Sequence, residues 1–380
     1  MENFLRDILQ CNTTKAECEI RVIAHHHQRR IPTSHDMVEG VQVTRVRLWR
    51  QVLYAPICLN LPAQMNRVLA DFKPDVLHIH MPNLSAFICL FSREARRSRW
   101  ILHWHSDVLG GAPDWRVKLL YPVYRLFEKW LLSKAQTIVC TSQNYLDTSQ
   151  PLSKFRDKCV VIPLGITTEV PPSRPSRQID NSTQTIDQPP AQPNDQLNNS
   201  HQLNLLCVGR LTYYKGHAVL LDAIAELTDV HLDIVGEGEE RAVLESQIAS
   251  LGLSSRVTLH GQVGDATLTA YMMNTDLLCL PSVERTEAFG LVILEAARCK
   301  KPALVTDVNG SGMSWVVQDG KTGWVVPAGN VDAMRESLKE IQRNKPVISV
   351  LGRAAHERLV SNFPAEGIAK RLVSLYPRAS

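Results

Sequence analysis

The stretch LNLLCVGRLTYYKGHAVLLDAIAELTDVHLDIVGEG, Leu203 to Gly238, decides the fold class. Leu203–Val208 is a short continuous apolar run that stops at Gly209, the pattern of a strand covered on both faces. Gly216–Leu227 then carries apolar residues at helical spacing. Val230–Val235 is apolar again and stops at Gly236. Strand, helix and strand in immediate succession make a βαβ unit, whose strands lie parallel with the helix packed on the sheet.

Working outward, the pattern repeats. Downstream, Arg256–Leu259, Asp276–Leu280, Pro302–Thr306 and Trp324–Val326 read as strands. Helical patterns at Glu239–Leu251, Asp265–Asn274 and Glu287–Lys300 separate them. Upstream, strand patterns lie at Glu19–Ala24, Val41–Leu48, Asp75–His80, Trp100–His105, Gln136–Thr141 and Cys159–Leu164, with helical patterns such as Leu61–Phe72 and Trp115–Lys134 between them. This alternation predicts an α/β chain with parallel sheets, twice over. Pro171–Gln202 is rich in Pro, Gln, Asn and Ser with almost no large apolar side chains, which predicts a disordered linker. Domains are thus expected at residues 1–170 and 203–345, joined by 171–202. The tail, residues 346–380, reads as two helices broken near Phe363–Pro364. Its pattern leaves open whether it stays on the second domain or crosses back to the first. The start departs from the rest: Phe4, Leu5, Ile8 and Leu9 form an amphipathic helix pattern, where a doubly wound domain opens with a strand and a Gly-rich turn.

Composition narrows the class. With 44% hydrophobic and 21% charged residues, the chain has the make-up of a soluble globular protein. No apolar run approaches the roughly 20 residues that cross a bilayer, and Met1–Gln10 lacks the apolar centre of a secretory signal. Nine scattered cysteines without a CxxC pair point to reduced thiols in the cytoplasm and away from structural zinc. Residues 1–170 hold 22 Lys and Arg against 15 Asp and Glu. That excess suits an anionic partner or membrane surface; a merely solvated basic face is the plain alternative.

Three stretches of the second half carry candidate chemistry. Glu287-Ala-Phe-Gly-Leu-Val-Ile-Leu-Glu295 follows a strand and a loop. A helix opening near Phe289–Gly290 would aim free N–H groups and its positive dipole end at the sheet edge, where anions and polar ligand groups bind. Gly290 permits close approach, and in a regular helix Glu295 lies two turns beyond Glu287 on nearly the same face. Such a pair can hold sugar hydroxyls; a dipole-stabilising acid and a solvated one are the plain alternative. In Val208–Gly216, Gly209 ends the strand and Arg210 and Lys215 flank the turn, two cations placed to neutralise a diphosphate. Val235-Gly-Glu-Gly-Glu239 is a tight turn with an acidic helix start.

In the first half, His103 and His105 share one face of a strand and Trp104 the other, and His105 is nearest the strand's end. His78, His80, His103 and His105 lack a carboxylate or cysteine at ligand spacing, so no metal site is expected. Arg116–Lys134 mixes Leu, Tyr, Phe and Trp with Lys and Arg like an interfacial membrane helix, with a kink expected at Pro122. A core-packing helix is the alternative.

Together, VGRLTYYKG, LDIVGEGEE, VTLHGQV, LPSVERTEAFGLVILEA and GKTGWVVPAGN, in this order, resemble the family 4 retaining glycosyltransferases. Glu287 and Glu295 match that family's E-x7-E motif, and Gly165-Ile166 and Cys140-Thr-Ser142 fit its first domain. The resemblance implies a GT-B fold, two Rossmann-like doubly wound domains facing across a cleft, with no cofactor and no essential metal. It implies that Arg210 and Lys215 meet the donor diphosphate beside Gly209. Glu287 and the backbone of Ala288, Phe289, Gly290 and Leu291 would hold the donor sugar, Glu295 the ribose, and Glu237 and Val263 the base. His105 would reach the donor sugar from the first domain. HIHMPN at His78–Asn83, HSD at His105–Asp107 and the stretch TSQNYLDTSQPLSKFRDKCVVIPLGI resemble the rhamnosyl and mannosyl transferases of bacterial surface polysaccharide synthesis. That subgroup implies a nucleotide-sugar donor, GDP-mannose first, and a lipid-linked glycan acceptor, and no nucleic acid. It places the protein in the cytoplasm, peripheral on the inner face of the membrane, with Arg116–Lys134 as the contact.

Two features depart from the family. The missing first strand and Gly-rich loop suggest that the true start lies upstream and Met1 is internal; a stop codon just before Met1 would refute this. Were Met1 the start, a non-catalytic GT-B protein that binds a nucleotide sugar or a partner would be the alternative function. Lys300 stands where the family has glycine, and strain in a left-handed backbone is expected there.

Overall fold

The structure is a computed structural model that describes residues 2–52, 55–108, 115–170 and 202–377. The expected linker, Gln202 apart, and the Gly110-Gly111 loop lie outside the described residues. The chain forms two compact units, Met1–Leu164 with Ala365–Ser380, and Gly165–Pro364. Compared with the limits read from sequence, Gly165–Val170 and Pro346–Pro364 therefore go with the second unit.

Unit 1 runs α1 (Glu2–Gln10), α2 (Asn12–Glu17), β1 (Arg21–Arg29), β2 (Ser34–Val38), β3 (Val41–Leu48), β4 (Arg50–Val52), β5 (Ala55–Ile57), α3 (Leu61–Phe72), β6 (Val76–Met81), β7 (Arg99–Trp104), α4 (Trp115–Lys134), β8 (Thr137–Cys140), α5 (Gln143–Thr148) and β9 (Cys159–Val161). Strands β6-β7-β8-β9 form one parallel sheet in that order. Ile101, Leu102, Ile138 and Val139 are fully buried in it, which explains their unbroken apolar runs. A second sheet has the order β1-β3-β2. Here β1 and β3 are parallel, but β2 and β3 are antiparallel, as are β4 and β5. The all-parallel expectation thus fails at β2. Glu39 and Gly40 both have positive φ, +49° and +88°, and close a two-residue hairpin between the paired Val38 and Val41. Strands β1 and β6 each have one ladder neighbour among the described residues.

Unit 2 runs β10 (Leu203–Val208), α6 (His217–Ile224), β11 (Val230–Val235), α7 (Arg241–Ser250), β12 (Val257–Gly261), α8 (Asp265–Asn274), β13 (Leu277–Leu280), α9 (Leu291–Arg298), β14 (Ala303–Thr306), α10 (Met313–Val316), β15 (Gly323–Val326), α11 (Val331–Arg343) and α12 (Pro346–Asn362). Its six strands form one sheet in the order β12-β11-β10-β13-β14-β15, with every ladder parallel. Leu205, Leu232, Leu277 and Leu304 from the strands pack with Leu220, Ile224 and Leu338 from α6 and α11. The chain starts at mid-sheet with β10, winds outward to β12, then crosses over to β13 and winds the other way.

After α12 the chain returns to unit 1 as α13 (Ala365–Val373), which packs on α1 and α2. The Glu366 carboxylate accepts the Asn12 and Thr13 backbone N–H groups at 2.9 and 3.1 Å and the Thr13 hydroxyl at 2.5 Å. These free N–H groups at the start of α2 thereby gain an anionic partner.

Candidate active site

Reversal of strand order between β10 and β13 opens a crevice at the C-terminal strand ends, the place where open α/β sheets bind ligands. The loops that leave these strands interlock there. Gly209 donates its N–H to the Val235 carbonyl at 3.0 Å, and Gly236 donates to the Gly261 carbonyl at 2.8 Å. A Cβ on Gly236 would stand 1.9 Å from the Gly209 oxygen, and one on Gly216, at φ +68°, 2.0 Å from the Pro281 oxygen. No side chain fits either contact, so both glycines are required by close approach of backbones.

Lys215 and Glu287 meet at this crevice. Their ammonium and carboxylate form an ion pair with the two side chains only 13% and 14% exposed. The Lys215 stem lies over Gly209, where a Cβ would be 2.9 Å from Nζ. Burial alone would lower the Lys215 pKa, but the Glu287 carboxylate outweighs it and holds the pKa above its ordinary value. His217, the first residue of α6, is buried beside them in sequence, and neither ring nitrogen has a partner among the described residues. Burial, then the Lys215 charge, pushes its pKa down to about 4. Arg210 is more exposed and pairs with Glu239 at 3.2 Å, so the two expected cations differ in setting.

The Glu287–Glu295 stretch differs from the expected helix. Helix α9 begins at Leu291, and Gly290 before it has φ +76°. Glu287, Ala288 and Phe289 therefore belong to a loop. The two carboxylates do not share a helix face, and Glu295, half-buried, stands one turn inside α9 instead of two beyond Glu287. Leu291 and Val292 still offer N–H groups at a helix start. Ala288 and Phe289 are buried, with the Phe289 ring near Trp315 and Phe363. Sequence reading missed what holds the loop: Ser311 Oγ donates to the Glu287 carbonyl at 2.5 Å, and Gly312 N–H donates to the Ala288 carbonyl at 2.7 Å. The Gly310-Ser-Gly312 turn was the available signal.

Glu237 leans over Gly261, where a Cβ would be 2.7 Å from its Oε1, and pairs with Arg241 at 2.7 Å. Val263 lies half-buried two residues beyond β12. Gly209, Lys215, Glu237 and the Glu287–Leu291 loop thus surround the ends of β10, β11, β12 and β13.

His105 belongs to unit 1, just after β7. It is one of four imidazoles on a single face of the β6–β7 pair. His80 Nδ1 and His105 Nε2 are 2.8 Å apart, His78 Nε2 and His103 Nδ1 3.3 Å, and His78 Nδ1 bonds the Tyr376 hydroxyl at 2.7 Å. Phe4 of α1 packs edge-on against His103 and His105. Nitrogens of His78, His80 and His103 all lie within 4.8 Å of one another, a clustering that strand spacing alone did not reveal. Hydrogen bonds between rings occupy nitrogens of His78, His80 and His103 in this arrangement. Burial lowers all four pKa values, to about 4 for His78 and about 3 for His105, and at His80 and His103 the neighbouring imidazoles add to it. Asp107 of the HSD stretch is buried and accepts from Trp104 Nε1 at 2.8 Å and Ser149 Oγ at 2.7 Å.

Comparison with known proteins agrees across the chain. Residues 190–358 match the family "Glycosyl transferases group 1", and residues 9–165 match "Glycosyl transferase 4-like domain". The O-antigen chain mannosyltransferase C of Escherichia coli is 28% identical over 86% of this chain and 81% of that protein. The D-rhamnosyltransferase WbpZ of Pseudomonas aeruginosa is 29% identical over 86% of this chain and 79% of that protein. Among solved structures, sucrose-phosphate synthase from Thermosynechococcus elongatus superposes with a TM-score of 0.71 at 21% identity, covering 97% of this chain and 90% of that one. HepE of Anabaena, solved with UDP and glucose, gives 0.63 at 18% identity, covering 88% and 86%. A chain matched by these two domain families over most of its length, and built on the GT-B fold of these structures, belongs to the family 4 glycosyltransferases and falls with their mannosyl- and rhamnosyltransferases.

Proposed function

We propose that this glycosyltransferase transfers a hexose, with retention of anomeric configuration, from a nucleoside diphosphate to a lipid-linked glycan in bacterial surface polysaccharide synthesis. GDP-mannose is the leading donor. The observation that carries the reading is the buried Lys215–Glu287 pair over Gly209, at the switch point of the unit 2 sheet. An ammonium stored there against a carboxylate is ready to exchange partners. The donor diphosphate takes Lys215, joined by Arg210, and Glu287 is released to accept sugar hydroxyls beside the Ala288–Leu291 backbone. The anomeric C–O bond breaks with its electrons passing to the phosphate oxygen, whose charge the two cations neutralise without a metal. The acceptor hydroxyl oxygen forms the new bond on the same face, and its proton leaves with the diphosphate. Glu295 and Glu237 serve the ribose and base, and His105 the donor sugar. The mannosyl- and rhamnosyltransferase relatives support the choice of sugar and pathway. Basic, apolar α4 supports a membrane-borne acceptor.

Transfer from GDP-mannose, UDP-glucose and related donors, assayed on the native protein and on Glu287→Ala, tests this. Turnover with at least one donor is expected, with a loss of about 100-fold or more in the variant, the usual scale for removing one preorganised polar contact from a reacting centre. Equal turnover in the two proteins would remove Glu287 from the site.

A further inference from the structure

The four imidazoles of unit 1 have a definite internal order. In the parallel β6–β7 ladder His78 pairs with Ile101 and His80 with His103, so side-chain alternation brings His78, His80, His103 and His105 to one face. Across the two strands the rings meet edge to edge. The His80 and His105 centroids are 5.1 Å apart with planes 15° from parallel, and His80 Nδ1 is 2.8 Å from His105 Nε2. That separation is the nitrogen–nitrogen distance plus two ring radii of about 1.1 Å, so the two nitrogens point straight at each other, as an in-plane N–H···N bond requires. His78 and His103 repeat the arrangement at 5.4 Å and 19°, with 3.3 Å between Nε2 and Nδ1. Along each strand the rings lie parallel instead, His78 on His80 at 4.9 Å and His103 on His105 at 4.4 Å.

His105 is thus held from three directions: His80 takes its Nε2, His103 lies against its face, and the Phe4 ring meets it edge-on at 6.3 Å. Its Nδ1 has no hydrogen-bond partner among the described residues. Behind the pair, the bond from His78 Nδ1 to the Tyr376 hydroxyl ties the block to the tail of the chain. Burial holds all four rings below their ordinary pKa, so they are neutral near pH 7 and each facing pair shares one proton between two nitrogens. An imidazole with one nitrogen fixed in this way has its tautomer and ring orientation fixed with it.

We infer that His80 is a positioning residue of the transfer reaction: it sets the ring angle and tautomer of His105 and leaves Nδ1 to meet the donor sugar. If His80 Nδ1–H donates to His105 Nε2, the His105 proton sits on Nδ1, which donates to a sugar hydroxyl. If His105 Nε2–H donates to His80, Nδ1 is bare and accepts. One bond between two rings therefore decides which part His105 plays. The inference rests on the role proposed above for His105 and is independent of the Lys215–Glu287 chemistry in unit 2.

Steady-state turnover of the full chain with GDP-mannose or UDP-glucose, resolved into kcat and KM, tests it in a double-variant cycle. His80→Phe keeps a flat ring against His78 and deletes the bond. It should lower kcat by about tenfold or more, the scale of a misplaced reacting group, and leave donor KM and calorimetric GDP or UDP affinity within about twofold of the parent. His80→Asn places an amide at the level of Nδ1 and should recover most of the rate. His80→Gln reaches past that level and should be as slow as His80→Phe, a contrast that holds even if the Phe variant folds poorly. Added to His105→Ala, His80→Phe should cost nothing further, because its effect passes through His105. Losses that multiply in the double variant would make His80 a packing residue and overturn the proposal. So would parent-like turnover in His80→Phe, or equal rates in the Asn and Gln variants. Parent-like turnover in His105→Ala is a different failure: it removes His105 itself from the donor sugar, and the role of His80 with it.

Discussion

One carboxylate, that of Glu287, holds the Lys215 pKa up against burial, and each partner would be costly alone. Lys215→Ala leaves Glu287 nearly buried without a cation, a loss of about 3 kcal/mol on the scale of broken buried pairs, whereas Lys215→Ala with Glu287→Ala should cost less than either single change. Urea unfolding of the three variants measures this; a double variant weaker than both singles would contradict it. A second residue-scale effect lies at Asp233. Burial pushes its carboxyl up, but hydrogen bonds from His231 and His260 prevail and bring it to about 2. Its pKa is lower in the folded state, so its stabilisation is complete above the unfolded value of 3.8 and is lost as pH falls toward 2. The shift corresponds to about 2 kcal/mol. Unfolding free energy measured from about pH 5 downward should fall less steeply in Asp233→Asn than in the parent. The glycines, cations and acids of the candidate site were legible as residue types in the sequence. Their partners were not, because Lys215 and Glu287 lie in the loops that follow β10 and β13, neighbours in the sheet across its switch point but far apart in sequence, and no local spacing joins them.

At the scale of elements, the βαβ repeats were readable because strands buried on both faces must be apolar throughout. β10, β11, α3, α4 and α8 have the bounds read from the sequence. The failures have local causes. β2, SHDMV, is polar and half-exposed and so lacked the apolar signal, and the Gly40 turn went unrecognised. Helix α9 starts late because Gly290 takes a left-handed backbone. Its other end is a Schellman motif: Lys300 N–H donates to the Ala297 carbonyl and Lys301 N–H to the Ala296 carbonyl, both at 2.9 Å, with Lys300 at φ +57°. The strain expected for a lysine there is present in the backbone. Lys300→Gly should therefore raise stability by about 1 kcal/mol, the left-handed penalty less the added freedom of the unfolded chain. A lower thermal midpoint for Lys300→Gly would contradict this.

For the whole molecule, two α/β units and a family resemblance were legible, because each unit's alternation is visible without the other. The crossing of the tail was not, since α12 and α13 have similar helical patterns and the bonds that mark the return to unit 1, from Glu366 to Asn12 and Thr13 and from Tyr376 to His78, join residues far apart in sequence. All proposed donor contacts except His105 lie in unit 2. His105→Ala should accordingly lower kcat while leaving calorimetric GDP or UDP affinity within about twofold of the parent, a loss confined to the step after nucleotide binding. A large drop in nucleotide affinity would place His105 in ground-state binding instead. The discontinuity of unit 1 has a temporal consequence. During synthesis, unit 2 is contiguous and is complete once Pro364 has left the ribosome. Unit 1, though begun first, must wait for the final helix to emerge before it can close, so the half made earliest is the half finished last.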